Sequence, residues 1–314
     1  MALPAGTTTG TAQISSLVQA AYDQYVRMAL RSIPVMRALA DVKPVQQAMP
    51  GSSVVFSIYS DLAQATATLT ESNDVSSIAL GNPTNVSVTL QEYGSAVTTT
   101  KKLSLTSFND VDAALADIIA YNAADSIDNV VANVLTSGSN VLYGGTATST
   151  SSLGTGSLLT VADIRQAVTE LRTNKAVPRM GELYAAYVHP RQAADLRAET
   201  GTGGFQELTK YVERTPFVAG AVGVIEGAYV VESPRVLVDN YGSTLIPKYV
   251  YKAVIAGREA LAEALAQDTS VIIGPEIDTL RRFRTIGWYT FAGWSLLRQA
   301  ALYRIETTAS STNS

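Results

Sequence analysis

Residues 108–136 read FNDVDAALADIIAYNAADSIDNVVANVLT, and their spacing predicts one long helix. Val111, Leu115, Ile118, Ile119, Ile127, Val130, Val131, Val134 and Leu135 recur three and four apart, which places them on one stripe of a 3.6-residue period. Ser107 is the candidate N-cap, with Asp110 three residues on, and Gly138 is the candidate left-handed residue that ends the helix. At 1.5 Å per residue such a rod is roughly 40 Å long, enough to act as a spine on which the rest of the chain is hung. It carries Asp110, Asp112, Asp117, Asp125 and Asp128 and no Lys or Arg. Five aspartates spread along it exclude a membrane span.

The acidity reaches beyond the helix. Residues 44–164 hold only Lys101 and Lys102 against ten acidic residues, net −8, whereas 1–43 and 165–314 are each net +2. A block this one-sided repels itself unless positive charge lies against it, from the same chain or from another copy. Charged residues make up 16% of the 314, against about 25% in ordinary domains. The surface is therefore built largely from hydroxyl, amide and glycine residues, or is covered by other chains. Cysteine is absent and His189 is the only histidine, which removes disulfides, thiol chemistry and multi-histidine metal sites within one chain. MALPAGTTTGTAQ at the start has neither the basic nor the apolar region of a signal peptide, and no apolar run is long enough to span a bilayer, so no membrane partner is expected.

Before the spine, Gly94 to Leu105 reads as an extended link. Val54, Phe56 and Ile58 alternate with Ser53, Val55, Ser57 and Tyr59, and Val86, Val88 and Leu90 alternate within 85–92. That is the period-two pattern of two strands. The polar stretch 62–83 between them makes a long hairpin with an irregular tip, unusual inside a compact domain. Residues 12–30 read as an amphipathic arm helix ended near Pro34, 35–45 as an extended continuation, and 1–11 as a mobile tail. After the spine, 143–157 is a low-complexity turn region; Thr160 caps a helix over 161–174, and Glu182 to Val188 is a strand stopped by His189-Pro190. Helices at 191–199 and 205–214, strands at 228–232 and 249–255, helical bias at 257–265 and a short strand at 271–273 follow. The section 279–297 collects Phe283, Trp288, Tyr289, Phe291 and Trp294 among Arg281, Arg282, Arg284 and Arg298, and 303–306 is a last strand. These are read as two antiparallel strands closing back on the spine.

Catalytic patterns are weak. A triad would need His189 with Asp195, yet no G-x-S-x-G is present. Glu170, Glu182, Glu199 and Glu207 show no pairing suited to glycoside chemistry, and Gly-Thr-Gly at 154–156 does not join a strand to a helix as a nucleotide-binding turn does. The aromatic-arginine section reads as core or interface rather than a nucleic-acid platform, because the acidic middle repels phosphate.

The ordered set resembles the major capsid proteins of tailed bacteriophages with the HK97-type fold, and more narrowly the N4-like major capsid branch. The resemblance is carried by ATLTE (67–71), the spine 108–136, Tyr187-Val188-His189-Pro190 and its helix, AGAVGVIEGAYVVES (219–233) and IDTLRRFRTIGWYTFAGWSLLRQAALYRIE (277–306). It implies an α+β subunit with an N-terminal arm (1–46), an extended β-hairpin loop (47–96), a peripheral domain holding the spine (97–180 and 276–306), an axial domain (181–275) and a flexible tail (307–314). It implies no enzyme activity and no cofactor. Self-assembly into hexamers and pentamers of an icosahedral head around double-stranded DNA follows from the same resemblance. Scaffolding, portal and decoration proteins would be partners, with assembly in the host cytoplasm and residence in the virion. With the chain starting at Met1, scaffolding is expected as a separate protein or absent. Some relatives crosslink a Lys to an Asn; with no lysine at 44–100, only Lys101 and Lys102 could do so here. An encapsulin-like compartment is the alternative within the fold, and a Ser/Thr-rich surface or adhesion protein the alternative outside it.

Charge suggests two sets of site residues. The acidic hairpin, with Asp61, Glu71 and Asp74, is expected to lie over Arg281, Arg282 and Arg284 of an adjacent subunit. Asp110, Asp112, Asp117, Asp125 and Asp128 are expected to face the lumen and repel packaged DNA.

Overall fold

The structure is a computed structural model that describes residues 35–44, 53–59, 62–66, 68–69, 71, 74, 77–106, 111–200, 223–241 and 248–310. The expected arm helix at 12–30, the helix at 205–214, and the Ser107 and Asp110 cap lie outside those residues.

The spine is present as α2, Val111–Thr136. Its apolar stripe serves two cores. Ile119 and Ala123 pack with Ile286, Trp288, Tyr93 and Leu115, while Ile127, Val131, Ala132 and Leu135 enter the largest core. Ile118, on the expected stripe, is exposed. The helix does not end on a left-handed Gly138, which is absent from the positive-φ glycines. Its last carbonyls are capped from across the fold, because the Arg304 guanidinium donates to the Thr136 and Gly138 carbonyls. A cation there also suits the negative end of the helix dipole.

The hairpin is built as its alternation predicts. β2, Ser53–Ile58, pairs antiparallel with β3, Thr84–Thr89, setting Val54 opposite Val88 and Phe56 opposite Val86. The expected extended link at 94–105 is extended as far as Thr100 and helical from Lys101. β4, Gln91–Thr100, is a ten-residue strand, followed by the short helix α1, Lys101–Thr106.

A four-stranded sheet runs in the order β1 (Ala40–Pro44), β11 (Leu261–Ile277), β12 (Phe283–Leu296), β4. β1 is parallel to β11, and the other two pairings are antiparallel. The helical bias expected at 257–265 and the short strand expected at 271–273 are parts of one 17-residue strand. Ala, Leu and Glu favour a helix locally, but the segment is inserted between β1 and β12, and tertiary pairing overrides propensity. The aromatic section is the single strand β12, and β11 carries the extra residue at three register irregularities against it.

The second sheet runs β5 (Val141–Tyr143), β13 (Leu302–Thr307), β10 (Tyr249–Ala256), β6 (Tyr184–Val188), β8 (Ala228–Glu232), β7 (Gly223–Ile225), with β9 (Val238–Asn240) paired to β10. The last strand, β13, therefore joins the sheet of β6 and β10 rather than pairing with β12. The helices α3, Val161–Thr173, and α4, Pro190–Ala198, contribute Ile164, Val168, Leu171 and Leu196 to the core of this sheet. Thr160 caps α3, as expected, and does so in a reciprocal box with Asp163. The β7–β8 turn has Glu226 at φ 50° and Gly227 at φ 87°, a two-residue turn of the kind that matches strand twist. A Cβ on Gly227 would also lie 2.5 Å from the Arg172 guanidinium.

Candidate functional site

Between the two sheets, residues 35–44 are clamped onto the body. The Asp128 carboxylate on α2 accepts hydrogen bonds from the Met36 amide (2.6 Å) and the Arg37 amide (3.2 Å). The Arg37 guanidinium reaches Glu263 of β11 through Nε (3.0 Å) and Nη2 (2.6 Å), and that carboxylate is fully buried. Arg179 donates to the Ala38 and Ala40 carbonyls and pairs with Asp41, whose other oxygen accepts the Glu259 amide at 2.7 Å. Met36 and Leu39 are buried beneath this network. A short chain segment thus ties helix, sheet and the loop before β11 together.

Two projections stand out from that body. In the hairpin, Val55, Tyr59, Leu62, Leu69, Ile78 and Leu80 are exposed. Its base is anchored by Val88 and Leu90 packing on Ala262 and Ala264, with Phe56, Phe291 and Leu297 alongside. Gly293 of β12 allows this approach: a Cβ there would sit 2.2 Å from the Thr89 carbonyl oxygen. A cavity of about 810 Å³ lies under β2, lined by Phe56, Ile58, Tyr59, Lys175, Glu259 and Arg298 among others. The other projection is the far half of β11 and β12, where Val271, Ile272, Ile273, Ile277 and Leu280 are exposed. Val271, Ile272 and Ile273 are consecutive, so β11 exposes apolar side chains on both of its faces here, while their β12 neighbours Ile286 and Trp288 are packed on α2. Exposed apolar surface on this scale marks an interaction site.

The arginines expected to meet the hairpin are at the end of this ribbon. Arg281, Arg282 and Arg284 are exposed; Arg282 pairs with Asp278 at 2.6 Å and stacks on Phe283. Glu71 and Asp74 are exposed on the hairpin side, and Asp61 lies outside the described residues. The spine aspartates do not form one lumen-facing set. Asp128 is buried at 1% exposure and holds the arm, which corrects its expected exposure to a lumen. Asp125 forms an ion pair with Arg235, whose guanidinium also lies over the Tyr121 ring. Asp117 is exposed; the side chain of Asp112 and all of Asp110 lie outside the description. Burial of Asp128 shows in its proton affinity: desolvation raises its pKa above the ordinary value, against the lowering effect of the amides it accepts.

His189 and Asp195 do separate structural jobs. His189 caps α4, its Nδ1 accepting the Arg191 amide at 3.2 Å, and its ring tilts against Tyr251 at 4.7 Å. Burial, with help from Arg191, pushes its pKa down to about 4. The Asp195 carboxylate accepts the Ser310 amide at 3.0 Å and its hydroxyl, tying down the segment that follows β13. Among the described residues, no three His, Asp or Glu side chains converge as a metal site would require, and no helix is long and apolar enough to cross a membrane.

A family model described as phage capsid protein matches residues 6–303. No curated protein matches by sequence. Among solved structures, the chain is similar to the capsid of Ralstonia phage GP4, at TM-score 0.74 and 17% identity over 98% of this chain and 100% of that one. It is similar to the head structure of Helicobacter pylori bacteriophage KHP40, at TM-score 0.72 and 14% identity over 98% and 99% of the two chains. The capsid of cyanophage P-SCSP1u gives TM-score 0.72 and 16% identity over 98% and 97%.

Proposed function

Because the chain belongs to the phage capsid protein family and has the mixed α+β, HK97-type fold of its structural neighbours, it is a major capsid protein of the head shell, and we propose how its parts build that shell. Hexamers and pentamers of this chain close around double-stranded DNA, within the N4-like branch, and the protein has a structural and no enzymatic role. Residues 1–46 act as the arm and 47–96 as the extended loop. Residues 97–180 and 276–306 form the peripheral domain and 181–275 the axial domain, with β13 crossing from the peripheral segment into the axial sheet; residues 307–310, expected within a flexible tail, are instead packed, Thr307 and Thr308 being buried and Ser310 bound by Asp195. Assembly occurs in the host cytoplasm with separate scaffolding, portal and decoration proteins.

The observation that carries this reading is a pair of projections whose large apolar side chains are exposed. A monomer gains nothing from exposing Leu69, Ile78 and Leu80 on one and Ile272, Ile273, Ile277 and Leu280 on the other. Laid together between copies, each covers the other, and the acidic residues Glu71 and Asp74 meet Arg281, Arg282 and Arg284. One arm and one hairpin can serve both ring sizes because the body stays rigid while they move. Asp117, with Asp110 and Asp112, faces the lumen and keeps the wall from binding DNA.

Expression of the full chain, followed by negative-stain microscopy and nuclease treatment, tests the reading. Closed shells or capsomer rings, with nuclease-protected DNA inside native particles, are expected. A strict monomer at high concentration would defeat it, and native particles filled with protein cargo would move the chain to an encapsulin-like role.

A further inference from the structure

The four-stranded sheet ends on β4, whose outer edge meets no strand among the described residues. The other sheet ends are protected. β5 and β7 are three residues each. β1 carries Pro44 and is held by Arg179 through the Ala40 carbonyl and Asp41. Short edges, proline and covering side chains keep an edge from pairing with another chain. β4 has none of these devices. It is ten residues long, runs against β12 without a bulge, and holds no charge and no proline from Tyr93 to Thr100. Gly94 to Thr98 are five consecutive exposed residues. Side chains alternate between the faces of a strand, so an unbroken exposed row marks an edge that is open from both sides.

The ladder shows which backbone groups are unused. The Lys101 amide donates to the Arg282 carbonyl at 2.8 Å, one step beyond the pair of Thr100 with Phe283. Antiparallel pairs alternate between bonded and non-bonded. The odd-numbered residues of β4 therefore bond to β12, and the amides and carbonyls of Glu92, Gly94, Ala96 and Thr98 point outward. Charge is arranged along the same line. Glu92 stands near the start of β4, and the exposed Lys101 and Lys102 follow its end. A strand that is acidic at one end and basic at the other is complementary to itself reversed. Reversal about Ala96 sets Gly94 opposite Thr98, Ser95 opposite Val97, and Glu92 opposite Thr100 beside the other copy's lysine pair. No like charges face each other, and the outward groups of both strands fall into bonded pairs. The Glu92 carboxylate already accepts the Tyr289 hydroxyl, and it keeps lone pairs for a second donor.

We propose that β4 of one subunit pairs antiparallel with β4 of a second copy about a two-fold axis at Ala96, joining their sheets into one. A two-fold contact presents the same patch from both partners, as this strand does. The inference rests on the reading of the chain as a shell subunit, and it adds a contact separate from that of the hairpin with the arginine ribbon.

The chain has no cysteine, so a single introduced thiol reports only its distance from its own mate. Across a bonded antiparallel pair the Cα atoms lie about 5.5 Å apart, within disulfide reach. Ala96→Cys in assembled particles should therefore form covalent dimers under mild oxidation, read on a gel without reductant. Thr98→Cys, about 14 Å from its mate in this register, should not. Ala96→Pro removes an outward amide and no bond to β12. It should keep the parent's melting curve and raise the concentration for half-assembly by about tenfold. Particles in which Ala96→Cys stays unlinked, or links no better than Thr98→Cys, overturn the pairing and leave the shell reading standing. A folded Ala96→Pro variant that assembles at the parent's concentration does the same. A parent chain that stays strictly monomeric overturns both.

Discussion

The seven-stranded and four-stranded sheets bury their side chains by different means. In the first, β6 is buried at all five positions, and helices from the same chain cover it. In the second, α2 covers one face of β12 at Ile286 and Trp288, opposite Ile273 and Val271 of β11, while Val271, Ile272, Ile273, Ile277 and Leu280 on the β11 side stay exposed among the described residues. One half is completed within the subunit, while the other is shaped to be completed by copies. Substitutions in the two halves should therefore separate folding from assembly.

The largest loss of folding stability is expected at the seam between them. Arg37→Ala leaves Glu263 fully buried with no cation beside it. Breaking a buried pair on one side costs about 3–5 kcal/mol. Urea unfolding should show a large fall in midpoint, and Arg37→Ala with Glu263→Ala together should recover part of it. An unchanged midpoint would mean that the arm is not clamped as drawn.

Gly293→Ala probes the seam between hairpin and sheet. Its methyl would meet the Thr89 carbonyl at 2.2 Å, so β3 must lift from β12. Overpacking of this kind costs about 1–3 kcal/mol. Hydrogen exchange should quicken in 84–90 and stay unchanged in β6 and β10, and shell assembly should fall with it. Uniform loss of protection would show that the two halves fold as one.

His189 gives the closed half a pH signature. Its folded pKa is about 4 against an ordinary 6.5, so between these values the unfolded chain binds a proton that the folded chain does not. Stability from this residue is complete above pH 6.5 and is lost as pH falls toward 4. The site is only half buried, so solvent screening reduces the effect to about 1–2 kcal/mol. His189→Asn keeps an N-cap and removes the titration. The difference in unfolding free energy between the two proteins should therefore change over pH 4–6.5 and be flat above it.

Much of this division was legible in the sequence, because alternation and 3.6-residue spacing report burial directly. Val54, Phe56 and Val88 marked the two strands of the hairpin, and Thr160 marked the start of α3. What failed depended on distant partners. LAEALA at 261–266 favours a helix until β1 and β12 lie beside it. Asp128 looked like its fellow spine aspartates, and nothing local shows that Met36, 92 positions away, donates to it. Arg304 capping the end of α2 is likewise a contact across 168 positions. The pairing of Arg37 with Glu263 had one faint signal, a lone carboxylate in an apolar run.

The smallest change in folding is expected where the change in assembly is complete. Arg281, Arg282 and Arg284 are exposed, and the ion pair of Arg282 with Asp278 is a surface pair four residues apart. Such pairs contribute about 0–1 kcal/mol, so reversing all three residues to Glu should move the unfolding midpoint little. The same reversal places three carboxylates where the acidic hairpin of the next copy would lie, and like charges brought together in an interface cost several kcal/mol. Shells should be absent by negative-stain microscopy while circular dichroism and the melting curve stay close to those of the parent. Raising ionic strength should restore part of the assembly, since the repulsion is screened beyond about 8–10 Å. Reversing Glu71 and Asp74 to Lys in the same chain should restore more, because it rebuilds the charge match with opposite sign. Shells that form normally from the triple variant would show that the basic end of the ribbon does not meet the hairpin of a neighbour.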